Sequence, residues 1–142
     1  VDGIVEAIQT SSALKVYVAN VMTQEGETEG YTVSDHIAAL FHHSAPGLVN
    51  LCLCNSSPIP KGVAARYAEE GAELLRGDTE SCAALGVEVI SRPVVTVDNG
   101  YVRHHPIHLA RELILLHAER SVRIAGNRFD RRDSGYRMED KR

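Results

Sequence analysis

The chain has 142 residues, 44% of them hydrophobic and 24% charged, with a net charge of −4. That length supports one domain with a sizeable core, and no apolar run approaches the roughly 18 residues of a membrane-spanning helix. The acidic excess lies in residues 1–118, while residues 119–142 carry eight basic against five acidic groups. An acidic body without a basic helix, zinc-finger spacing or stacking aromatics argues against a nucleic-acid-binding core.

Residues 2–11 place Ile4, Val5, Ala7 and Ile8 at three- to four-residue spacing, the pattern of an amphipathic helix. The chain starts at Val, without the zones of a signal peptide, and the expectation is a start inside a longer protein. Residues 15–21 are nearly continuously apolar, as in a parallel strand covered on both faces. A polar, acidic, glycine-punctuated loop follows over 22–31. Thr32 then predicts a helix cap, with Asp35 three residues on as an approximate capping box. Val33, Ile37, Leu40 and Phe41 give that helix its buried stripe, and it ends near His43.

Residues 48–54 predict a second strand, so the helix before it makes a right-handed β-α-β unit. The loop 55–59 therefore lies on the same sheet edge as the loop 23–30. Pro60 opens a helix to about residue 70, with Val63, Ala64, Tyr67 and Ala68 inward and Gly71 as its stop. A brief strand is expected at 73–75, then a short helix at 79–85 capped by Asp78 and ended by Gly86. Strands at 87–90 and 94–97 follow, and Asn99–Gly100 signals a tight turn into 101–103. The last helix covers 106–119 through Leu109, Leu113 and Leu116. Residues 120–142 are heavily charged and predict a flexible tail or an extension that needs a partner. The domain division is thus 1–119 and 120–142.

Strands that alternate with helices define an α/β class with a mostly parallel sheet. In such folds ligands meet the carboxyl ends of strands. Asn20, Thr23, Gln24 and Thr28 can hydrogen-bond a base, ribose or phosphate there, and the glycines permit close approach; Glu27 and its acidic neighbours disfavour bare phosphate. The alternative is a solvated acidic loop. Asp35 and His36 occupy a helix amino end, as ligand contacts or simply as a capped terminus. Asn55 and Ser56, with Ser57, are ligand contacts or a turn before Pro58. Cys52 and Cys54 share one face of a strand and read as small core residues, and three unbridged cysteines fit a reducing, cytoplasmic setting. His104, His105 and His108 have no carboxylate at ligand-like spacing, and His105 reads as a cap. No phosphate-binding glycine loop, serine elbow or zinc-protease motif is present, so no complete active site emerges.

The segment Asn20-Val21-Met22-Thr23-Gln24, then Gly26-Glu27-Thr28, Gly30-Tyr31 and Ser34-Asp35-His36, resembles the signature of the 2-phospho-lactate transferase and gluconeogenesis-factor family. The likeness continues through Pro58-Ile59-Pro60, Tyr67-Ala68-Glu69-Glu70-Gly71-Ala72 and Val102-Arg103-His104, over about residues 1–119. It fits the bacterial gluconeogenesis-factor branch best. The resemblance implies an incomplete Rossmann-like three-layer fold, the carboxyl-terminal half of a longer protein. It also implies a nucleotide sugar such as a UDP-sugar as ligand, and a role in cell shape and wall synthesis on gluconeogenic carbon. Transferase members instead move a phospholactyl group to a deazaflavin precursor with Mg²⁺.

Carried over, the likeness promotes Asn20, Thr23, Gln24, Glu27 and Thr28 to the ligand cleft, with Asp35 and His36 behind them. The family's amino-terminal glycine-rich turn has no counterpart here, so this part is expected not to be catalytic alone. Its sheet is expected to leave an edge for the rest of the protein or a second copy, as in a homo-oligomer. The third alternative is a structural or interaction module whose loops bind nothing.

Overall fold

The computed structural model describes residues 3–133. In chain order the elements are α1 (Ile4–Thr10), β1 (Val16–Val18), α2 (Val33–His43), β2 (Leu51–Asn55) and α3 (Lys61–Glu69). Then come α4 (Thr79–Ala84), β3 (Glu88–Arg92), β4 (Val95–Asp98), β5 (Tyr101–His104) and α5 (Pro106–Asp133). The chain divides into two units, Val1–Leu109 and Ala110–Arg142. The second, where described, is the continuation of α5.

Three strands make a parallel sheet in the order β1-β2-β3, with β1 and β3 at its edges. Parallel neighbours require crossovers, which α2 supplies between β1 and β2, and α3 with α4 between β2 and β3. Register sets which side chains share a face. Tyr17, Cys52 and Val89 form one row, and Val18, Leu53 and Ile90 a row on the opposite face. The first row joins Val33 and Ile37 of α2 and Cys82 of α4 in the core. Leu51 and Leu53 on the other face are equally buried. Both faces of the central strand are thus covered, as its unbroken apolar run required.

Thr32 caps α2 through the expected box. Its Oγ1 accepts from the Asp35 amide at 3.4 Å, and its own amide donates to Asp35 Oδ2 at 2.8 Å. Asn99 and Gly100 take φ of 49° and 78°, the left-handed pair that closes the antiparallel β4–β5 hairpin. His105 precedes α5, and its Nδ1 accepts from the His108 amide at 3.3 Å, so it is a cap as expected.

Some elements differ from expectation. No strand forms at 73–75. That segment makes single bridges instead, Met22 with Leu74 and Thr32 with Arg76. It is threaded between two loops, with no ladder to extend. β1 is shorter than the apolar run, because after Ala19 the chain leaves the sheet for this segment. β2 starts at Leu51, since Gly47 at φ 69° and the Leu48 amide bonded to Ala45 O hold a turn there. Asp78 makes no capping bond to an amide of its own helix; its carboxylate turns to Thr32 and Ser34. The last helix passes residue 119 and runs to Asp133, through a stretch with five arginines and no proline. The rest of the expected tail, 134–142, lies outside the described residues.

Candidate functional site

Two cavities open at the carboxyl ends of the parallel strands, and Asn20 lines both. The first, of about 380 Å³, lies between the ends of β1 and β2, with Asn20, Cys54, Asn55, Ser56, Ser57 and Thr79 on its wall. The second, of about 330 Å³, is walled by Asn20, Thr23, Gln24, Tyr67, Arg103 and His104. No carboxylate lines either one among the described residues, and Arg103 is the sole full-time cation.

The loop after β1 is held by backbone and side-chain bonds to the segment before α4. Thr23 N donates to Glu73 O at 2.8 Å, and Leu75 N to Val21 O at 2.9 Å. The buried Thr23 Oγ1 accepts from Glu73 N at 2.8 Å and donates to Glu73 O at 3.3 Å. Beyond it the loop closes on itself. Glu27 N and Thr28 N both donate to Gln24 O, and Gln24 N donates to Thr28 Oγ1 at 2.9 Å. Thr28 thereby fixes Gln24 at the cavity mouth without lining it, and Glu27 stays exposed on the turn.

Asn55 ends β2 in a tight polar turn. Its Nδ2 donates to Ser57 O at 2.8 Å, and its Oδ1 accepts from Ser57 N at 2.9 Å and Val94 N at 3.3 Å. Ser56 is exposed, with its amide on Arg92 O. Of the residues singled out from the sequence, Asn20, Asn55 and Ser56 meet in the first cavity, and Asn20, Thr23 and Gln24 in the second. Asp35 is committed to the α2 cap. His36 lies edge-on to Tyr31 at 5.4 Å, with its buried Nε2 unpartnered. Burial pushes this imidazole below its usual value, against the opposing pull of Asp35. Neither Asp35 nor His36 lines either of these two cavities.

Tyr67 and Arg103 were not among the residues singled out as ligand contacts, and His104 was weighed only as a metal ligand. The hairpin brings them in. Tyr67 Oη accepts from Val102 N at 3.0 Å, and Arg66 donates to Gly100 O while lying 5.0 Å from the Tyr101 ring centre. These contacts dock β5 on α3 and set Arg103 and His104 beside the Asn20 loop. His104 Nε2 is buried without a partner. The signal was in the sequence, because the resemblance itself ran through Tyr67 and residues 102–104.

Behind the site, Asp78 joins the loops. Its carboxylate accepts from Thr32 Oγ1 at 2.9 Å, Ser34 N at 2.9 Å and Ser34 Oγ. Burial raises this carboxyl's affinity for protons, but the bonds from Ser34, Thr32 and Ser81 outweigh it and hold the group below its usual value. Such an array ties the start of α2 to the start of α4.

A parallel sheet with helical crossovers and polar loops at its carboxyl edge is a Rossmann-like α/β arrangement. The family described as 2-phospho-L-lactate transferase CofD matches residues 1–95, and the chain belongs to that family. It is 43% identical over 114 residues to the gluconeogenesis factor of Halalkalibacterium halodurans, covering 80% of this chain and 35% of that one. To the gluconeogenesis factor of Bacillus subtilis it is 40% identical over 109 residues, covering 77% and 34%. The X-ray structure of protein BH3568 from Bacillus halodurans superposes with a TM-score of 0.76 at 43% identity, over 80% of this chain and 37% of that one. The chain thus spans about a third of the length of these relatives.

Proposed function

We propose that this chain forms one wall of a nucleotide-sugar site in a regulatory protein of the gluconeogenesis-factor kind. The observation that carries the reading is the pair of cavities joined at Asn20. One is neutral and rich in hydroxyl and amide groups; the other holds Arg103 and His104. A ligand with an anionic group attached to a neutral polar moiety matches that division, and a UDP-sugar is such a ligand. Arg103 supplies charge and directed donors to the anion, while Asn20 reaches both portions. The wider role we infer is the one the family resemblance implies: sensing a nucleotide sugar to support cell shape and wall synthesis during growth on gluconeogenic carbon; the gluconeogenesis-factor names of the relatives support its link to gluconeogenesis.

Calorimetric titration of the intact protein with UDP-sugars tests the reading. Saturable binding that weakens at least tenfold in Arg103→Gln is the expected result. Absence of measurable heat and of saturation overturns it. The family's transferase description favours a second reading, phospholactyl transfer with Mg²⁺, in which the same cavities receive the donor. Turnover of a guanosine diphospholactate donor would select it.

A further inference from the structure

We propose that Cys54 is a thiol-modification site on the wall of the first cavity, where it exchanges with small disulfides and the adduct occupies the ligand space. Cys52 and Cys54 stand two apart on β2 and so face the same side of the sheet. Cys52 and Cys82 are fully buried, whereas Cys54 is half-buried and lines the cavity. All three are free thiols, and only Cys54 meets the opening.

The two strand sulfurs lie 3.7 Å apart, within reach of a thiol-to-sulfur hydrogen bond. With Cys52 donating, that bond favours the thiolate of Cys54 and lowers its value, against burial and the charge of Asp78; Cys52 is correspondingly pushed up. The thiolate is the reactive form. No carboxylate on the cavity wall repels an incoming anionic disulfide.

A bond between Cys52 and Cys54 themselves is disfavoured. The sulfurs would have to close from 3.7 Å to about 2.05 Å, on a strand whose middle residue, Leu53, is 1% exposed. Exchange with an outside disulfide needs no such movement. The Cys54 thiolate attacks one sulfur of R–S–S–R, the old S–S bond breaks as the new one forms, and the released thiolate takes up the proton that left Cys54. The incoming disulfide is the oxidant, and excess free thiol reverses the step.

The test is native incubation of the intact protein with oxidised glutathione, read by intact mass and peptide mapping. One adduct per chain, on Cys54, is expected, while all three thiols react in denaturant. Cys54→Ser should abolish the native adduct, and Cys82→Ala should leave it unchanged. Cys52→Ala should slow it only about threefold, because thiolate fraction and intrinsic nucleophilicity move in opposite senses. The wild-type map decides the matter even where a core variant fails to fold. An adduct on Cys52 or Cys82, or no native adduct while the denatured chain reacts, overturns the proposal.

The thiol site rests on the cavity's geometry, and competition with ligand rests in addition on the nucleotide-sugar reading. A UDP-sugar should slow adduct formation. Labelling confined to Cys54 without protection would leave the thiol site standing and count against the nucleotide-sugar reading alone.

Discussion

Replacing Thr23 with valine separates scaffold from ligand contact within the Asn20–Gln24 segment. The two side chains are nearly the same size, and Thr23 is 4% exposed, so the change leaves little void and acts mainly through the hydroxyl. That hydroxyl is the acceptor for Glu73 N at 2.8 Å. Glu73 O keeps the Thr23 backbone amide at 2.8 Å, so only one group, the Glu73 amide, is orphaned. A buried unsatisfied donor costs about 1–3 kcal/mol, and the partial exposure of this bond puts the loss at the lower end, about 1.5 kcal/mol. In a domain of this size that is a fall of roughly 4 °C in Tm.

Urea unfolding of wild type, Thr23→Val and Thr23→Ser would measure it, with the serine variant expected to recover most of the loss. A valine variant within about 0.3 kcal/mol of wild type, at unchanged denaturant slope, would refute the claim that this hydroxyl bonds the two loops together. Lost ligand binding at full stability would make Thr23 a direct contact instead.

Thr32→Ala removes the α2 cap and should cost about 1 kcal/mol by thermal or urea unfolding. The Asp78 carboxyl is held below its unfolded value, so its contribution to stability is present above about pH 4 and lost as pH falls through the folded value; Asp78→Asn should flatten that acid limb. His36 is also lowered, but as a base. The unfolded chain takes up its proton first, so stability is full above about pH 6.5 and declines as pH falls through the lowered folded value. In His36→Phe this decline should be absent from a pH series of Tm values. Tyr67→Phe deprives the Val102 amide of its acceptor. It should loosen the β4–β5 hairpin, seen as faster amide exchange at 101–104, and weaken UDP-sugar binding less than Arg103→Gln does.

Features written in neighbouring residues were legible from the sequence. The box Thr32–Asp35, the Asn99–Gly100 turn and the His105 cap each depend on partners within four positions, and each formed as read. The apolar run ending at Cys54 was legible because burial on both faces removes alternation. Features that depend on distant partners were not. The segment at 73–75 looked like a strand because its residues suit one, yet its partners are single loop positions some fifty residues away. Asp78 looked like a cap for its own helix, but Thr32 and Ser34, at the start of a helix more than forty residues earlier, hold its carboxylate instead. In the site, polar content pointed to the Asn20 loop and to Asn55–Ser56. Arg103 and His104 enter only through the docking of a hairpin on α3, which no local pattern announces.

The bond between Thr23 and Glu73 also bears on how the molecule assembles. It joins positions 50 residues apart, and the sheet beneath it pairs Val16 with Leu51 and Leu51 with Glu88. Each pairing closes a long loop before any contact repays the lost chain entropy. The capped helix and the hairpin form from local contacts, whereas the two cavities exist only once both crossovers have closed. The cavity-lining surface is thus a product of long-range closure and not of any local segment.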